Sequence, residues 1–246
     1  MQASQRDPVS DTARLTLGPP QALMSEPLNL SALKTKLDAR RSELDGAYRK
    51  SMNVAVEHLH AIGVASRAKG VGDRAPDFAL SGRGGVPVML SQLLRSGPVV
   101  LSFFRGEWCS FCRIEMDALI EACPRIVAEG AQLMLVSPHG PTNGLLERGS
   151  PVDGLTILQD PMNGVGLQYG LIFRMPDILR EALQALGIDL SHIYGTDAWL
   201  LPIPATYVIR PDGIITLAHA DPDFTHRLDP ERIISALIEL RRMRVA

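Results

Sequence analysis

The sequence predicts an α/β domain, a mixed β-sheet with helices on both faces, preceded by an N-terminal helical extension. Three observations carry this. Short apolar and β-branched runs at 98–104, 131–138 and 155–160 are separated by stretches that include a helical pattern. The element order, β-α-β, then β-α, then β-β-α, implies a sheet of mixed direction. A leucine-rich stripe of helical period lies ahead of all of them.

Residues 1–26 are polar, contain Pro19-Pro20 and show no period, so a flexible arm is expected there. Met24, just before patterned sequence begins, is a candidate translation start. Residues 27–68 form the expected extension. Leu30, Leu33, Leu37, Leu44, Tyr48, Met52, Val56 and Leu59 fall at spacings of three, four and seven, one amphipathic stripe over 28–66. Such a stripe packs on its own domain or serves as a dimer arm, and the first is the ordinary case.

The domain proper is expected over 69–246. "VGDRAPDFAL" and "VPVML" flank "SGRGG", a hairpin with a glycine turn, and "SQLL" starts a short helix. "PVVLSFF" is a buried strand, and Ser110 to Ala128 is a helix through Ile114, Leu119, Ile126 and Val127. "AQLMLVSP" and "LTILQD" are further strands, and "MNGVGLQYG" is a short helix. "PDILREALQAL" is an inserted helix within 175–199. "PATYVIRPDGIITLAHA" is two strands about a turn. "DPERIISALIELRR" is a helix capped by Asp229, with proline in the first turn and arginines at the end.

Composition narrows the function. Of 246 residues, 46% are hydrophobic and 21% charged, ordinary for a folded domain. A net charge of −2 leaves no basic footprint for nucleic acid. The apolar runs fall short of a membrane span, and the N-terminal stretch has no apolar signal core, so a cytoplasmic protein is expected. No glycine-rich nucleotide motif follows a strand. Three cysteines do not make a secreted disulfide framework.

The chemistry concentrates in "RGEWCSFC", residues 105–112. A strand that turns into a helix at Ser110 places Cys109 near the N-cap and Cys112 in the first turn. Residues three apart on a helix share a face, within reach of a disulfide. Unsatisfied N–H groups and the partial positive charge of the helix start stabilise a thiolate, and Arg105 adds a nearby cation. Zinc is the lesser alternative, because there is one Cys-x-x-Cys pair and six scattered histidines. Cys123, eleven residues on, is expected to be a small buried hydrophobe. His139, after a strand end, and Arg227, a weak candidate for anion contact in a polar stretch with Asp221, Asp223, Thr225 and His226, are lesser candidates for which a solvated loop is the default reading.

These motifs carry a resemblance. "VGDRAPDFAL", "PVVLSFFRGEWCSFC" and "IPATYVIRPDG" look like the thioredoxin-fold peroxiredoxins, the alkyl hydroperoxide reductase and thiol-specific antioxidant proteins, in the branch carrying R-G-x-W-C-x-x-C. The resemblance spans about residues 70–242. Against that family's P-x-x-x-T-x-x-C, Cys112 takes the peroxide-attacking position, Cys109 the threonine position and Arg105 the proline position. Pro204 stands as it would in a thioredoxin, and in thioredoxins the first cysteine of the pair, here Cys109, is the nucleophile. The resemblance implies a thioredoxin-like fold and a thiol peroxidase. Cys112 is the favoured attacker, Cys109 resolves to an internal disulfide, Arg105 lowers the thiolate pKa, and Trp108 and Pro204 line the substrate approach. It further implies no metal or organic cofactor, a peroxide substrate, a thioredoxin-type reductant and a possible homodimer. A disulfide reductase led by Cys109 and a non-catalytic redox sensor are the alternatives.

Overall fold

The computed structural model describes residues 31–82, 85–139 and 152–245. The expected arm at 1–26, Met24, the first residues of the extension, Leu30 among them, and the tip of the expected hairpin turn lie outside these residues.

The extension is two helices rather than one, α1 (Ser31–Ser42) and α2 (Gly46–Ala61). Asp45 ends the continuity. Its carboxylate accepts the backbone N–H groups of Ala47 at 2.9 Å and Tyr48 at 3.1 Å and so caps a new helix. The apolar stripe runs through the break undisturbed, which is why it reads as one segment. Leu33, Leu37, Tyr48, Met52, Val56 and Leu59 are all buried in the same core as the sheet. The extension therefore packs on its own chain.

Among the described residues, seven strands make the central sheet: β1 (Ala79–Ser81), β2 (Pro87–Met89), β3 (Val99–Phe103), β4 (Gln132–Ser137), β5 (Leu155–Gln159), β8 (Ala205–Ile209) and β9 (Ile215–Ala220). Their order is β2-β1-β5-β4-β3-β8-β9. The β3, β4 and β5 pairings are parallel, and the remaining ones are antiparallel, so the sheet is mixed as expected. Central β3 is buried on both faces, which its unbroken apolar run requires. Its one hydroxyl, Ser102 Oγ, is satisfied across the ladder by Thr206 Oγ1 at 3.0 Å.

A second, two-stranded sheet was not foreseen: β6 (Ile172–Arg174) pairs antiparallel with β7 (Leu200–Pro202). Each has three residues, too few to show an alternating pattern. The helices are α3 (Leu90–Leu94), α4 (Ser110–Ala128), α5 (Gly164–Gln168), α6 (Asp177–Ala185), α7 (Leu190–Tyr194) and α8 (Pro230–Val245). α4 packs on β4 and α8, and α8 on β8 and β9. α1 lies against α4, and α2 against α6. The result is the thioredoxin-like fold with its helical extension folded onto it.

Candidate active site

The site forms where β3 ends. Phe104 continues the ladder, its N–H bonding to the carbonyl of Val136 at 2.9 Å, and the chain then turns through Arg105 to Trp108 into α4. Gly106 makes the turn with φ of 136°, a left-handed value. A Cβ there would also meet the Trp108 ring at 2.9 Å. Cys109 is the N-cap of α4, with extended φ and ψ of −85° and 109°. Its sulfur takes the place of the usual capping oxygen and accepts the N–H of Cys112 at 3.4 Å.

Arg105 is folded back over this sulfur. Its Nη2 donates to Cys109 Sγ at 3.0 Å, and the guanidinium lies 3.7 Å from the centre of the Phe224 ring and 5.0 Å from that of Trp108. The side chain is only 2% exposed, and among the described residues its Nε has no partner. A second guanidinium comes from far along the chain. Arg227 Nη2 lies 3.4 Å from Cys112 Sγ, while Nη1 forms an ion pair with Glu115, one helical turn beyond Cys112. Arg227 Nε and Nη2 both donate to the carbonyl of Phe224, at 2.9 and 2.7 Å.

These surroundings split the two thiols. Burial alone would raise Cys109, but a hydrogen bond from Cys112 and the charges of Arg105 and Arg227 outweigh it, and the thiol is held well below its ordinary range. Cys112 moves the opposite way: burial raises it, and the hydrogen bond and charge of Cys109 add to that. Glu115 is pushed up by burial and pulled back by Arg227. Neutralising it would leave Arg227 buried without a counter-charge, which keeps the pair ionised. The sequence favoured Cys112 as the thiolate; Cys109 is the thiol held low here, because its N-cap sulfur faces both the Cys112 N–H and Arg105, whereas Cys112 Sγ, inside the helix, meets Arg227.

The inserted region closes over the loop. Trp108 Nε1 donates to the Tyr194 hydroxyl at 2.7 Å, and that hydroxyl donates to the carbonyl of Arg105. His139 is peripheral, its ring 6.5 Å from that of Tyr194. Pro204 directly precedes Ala205, which pairs with Phe103, so it stands at the end of β3 where the cysteine loop leaves. Cys123 is buried in the core, and burial raises its thiol to about 11. Among the described residues no cluster of three metal-binding side chains forms. Nor is any helix there long and apolar enough to cross a membrane.

Arg105, Trp108, Cys109 and Cys112 are thus brought together as the sequence predicted. Arg227 proves central rather than a solvated loop residue, and Glu115, Tyr194 and Phe224 join it. Only Arg227 had a signal, a cation in a polar stretch after a strand.

Solved structures share the fold. Peroxidoxin BcpB from Mycobacterium tuberculosis is 22% identical, with a TM-score of 0.51 over 69% of this chain and 97% of that one. A peroxiredoxin-like protein from Aquifex aeolicus is 16% identical, with a TM-score of 0.54 over 70% and 88%. Peroxiredoxin 6 of Arenicola marina, also 16% identical, gives 0.54 over 71% and 74%. A search of curated proteins finds no match. The AhpC/TSA family model matches residues 71–218, which take in the whole of β3, the cysteine loop, α4 and the Pro204 strand, and the chain belongs to that family.

Proposed function

We propose that the protein is a thiol peroxidase in which Cys109 attacks and Cys112 resolves. The Cys109 thiolate displaces alkoxide or hydroxide from the near oxygen of a hydroperoxide. The S–O bond forms as the O–O bond breaks, the cysteine becomes a sulfenic acid, and the leaving oxygen takes a proton from solvent. Arg105 stabilises the departing charge. Cys112 then attacks the sulfenic sulfur, water leaves, and a Cys109–Cys112 disulfide forms. A thioredoxin-type dithiol restores both thiols by exchange.

The observation that carries this is Cys109, a residue only 3% exposed whose sulfur lies within 3.0 Å of a permanently charged guanidinium. A disulfide reductase led by the same cysteine uses the same lowered thiol. Burial favours the peroxidase, because a substrate of a few atoms reaches a nearly closed sulfur more easily than a protein disulfide does, and Cys112 is 0% exposed.

The test is single-turnover reaction of each variant with hydrogen peroxide. Cys112→Ser is expected to form a trappable sulfenic acid on Cys109, and Cys109→Ser to form little. A sulfenic acid on Cys112 alone reverses the order of attack. Wild-type protein that consumes peroxide no faster than a free thiol, yet reduces disulfides, replaces the peroxidase with the reductase.

A further inference from the structure

Both arginines of the site lean on one short segment, residues 221–227, which lies outside the family-matched residues. Phe224 is its point of contact with both arginines. Its ring carries the Arg105 guanidinium and packs edge-on against Phe111 of α4, with ring centres 6.0 Å apart. Its carbonyl takes two bonds from Arg227. Where Phe224 sits therefore sets where both cations sit.

The residues on either side of Phe224 are held by the extension, which the family model does not match either. Arg41, at the end of α1, donates from Nη1 to Asp223 Oδ2 at 3.1 Å and to Thr225 Oγ1 at 2.9 Å. Its Nη2 donates to Asn53 Oδ1 of α2 at 3.1 Å. Neighbouring Arg40 reaches Ser110 Oγ, at the start of α4, at 3.0 Å. Asp223 also organises the turn from within, accepting the N–H and hydroxyl of Thr225 at 3.0 and 2.7 Å. Beside the tether, α1 and the segment leave a cavity of about 310 Å³ between them, lined in part by Leu33, Leu37, Thr225, Arg227 and Arg232, so close packing does not fill the space next to the hydrogen bonds.

We propose that Arg41 is a positioning residue. It ties the helical extension to the 221–227 segment and, through Phe224, holds Arg105 and Arg227 against the two cysteines. The forked guanidinium suits this: Nη1 grips the residues before and after Phe224 while Nη2 reaches Asn53 of α2, a spread of donors that an ammonium does not reproduce. The site is then completed from the extension rather than by the matched fold alone. The chemistry assigned to this site is that of the proposed peroxidase, but the positioning concerns the thiolate and is read without peroxide.

The experiment measures the pH dependence of Cys109 alkylation by iodoacetamide in the Cys112→Ser, Cys123→Ala background of the full chain. Arg41→Ala is expected to raise the midpoint, toward the rise of about one unit or more given by Arg227→Met, in keeping with the loss of a nearby opposite charge. Arg41→Lys is expected to fall between Arg41→Ala and the parent. Thr225→Val, which removes one acceptor and conserves volume, gives a smaller rise and covers the case in which Arg41→Ala does not fold. Circular dichroism melting runs alongside. A lower melting temperature for Arg41→Ala or Thr225→Val with an unmoved midpoint makes Arg41 a structural ion pair and overturns the proposal. Loss of peroxide turnover as a property of the wild-type protein would instead sink the peroxidase, whatever the midpoints do.

Discussion

At the scale of single residues, the site is a contest between burial and charge over two sulfurs. Burial raises both thiols, so the difference between them comes from which sulfur meets the donors. Replacing Arg105 by methionine keeps the bulk and removes the cation. The charged form of Cys109 then loses stabilisation, so the alkylation midpoint is expected to move to higher pH, by about 1–3 units. An unmoved midpoint would leave Arg105 as packing only. Cys123 is the control. Its thiol is raised to about 11 by burial, so it stays protonated and slow to alkylate at pH 8 in the folded protein. Cys123→Ala is expected to leave peroxide turnover within twofold and to cost about 1 kcal/mol of stability, read by urea denaturation. Arg105, Trp108, Cys109 and Cys112 were legible because the motif is local, all within eight residues. Arg227 was only a weak candidate, since it reaches Cys112 across 115 residues of chain, a distance that no window of sequence spans.

At the scale of elements, the strand-to-helix turn and the caps decide the geometry. Gly106→Ala has to hold a side chain at positive φ and push aside the Trp108 ring. It is expected to cost about 1–3 kcal/mol and to weaken the Trp108–Tyr194 bond, visible as a change in tryptophan fluorescence. Asp45→Ala removes the cap of α2 and is expected to cost about 1 kcal/mol, read as a lower melting temperature. Elements with long or strongly periodic patterns were plain in the sequence: the helix expected from Ser110 to Ala128 has those bounds. The break at Asp45 was hidden because apolar residues on either side of it keep the same stripe. β6 and β7 were hidden because three residues, one of them Pro202, carry no period, and their pairing exists only in the folded chain.

At the scale of the whole molecule, the sheet supplies the platform and the segments before and after the family-matched region supply its cover. The β3, β4 and β8 strands bury the scaffold almost completely, so the loop at the end of β3 starts from a rigid edge. Mixed sheet direction was legible from the order of elements. How the extension docks was not, because an apolar stripe says that a face is buried and not against what. In the folded chain that partner is α4 for α1 and α6 for α2.

One consequence follows from the four ionised groups enclosed together. In the reduced form, Arg105 and Arg227 face the Cys109 thiolate and Glu115, and the interior is electrically balanced. A Cys109–Cys112 disulfide removes one anion and leaves an excess positive charge sealed in the core. Losing a partner from a buried pair costs about 3–5 kcal/mol, whereas closing so small a ring restrains the unfolded chain by about 2 kcal/mol. The imbalance outweighs the restraint, so the oxidised protein is expected to melt below the reduced one, by about 2–4 °C for each kcal/mol of difference. Calorimetry of the two forms in the Cys123→Ala background measures this. Equal melting temperatures would mean that water or an anion enters to neutralise the excess. In the proposed cycle such a disulfide is spring-loaded: its own enclosure is expected to favour its reduction, so that a weak thiol donor resets it.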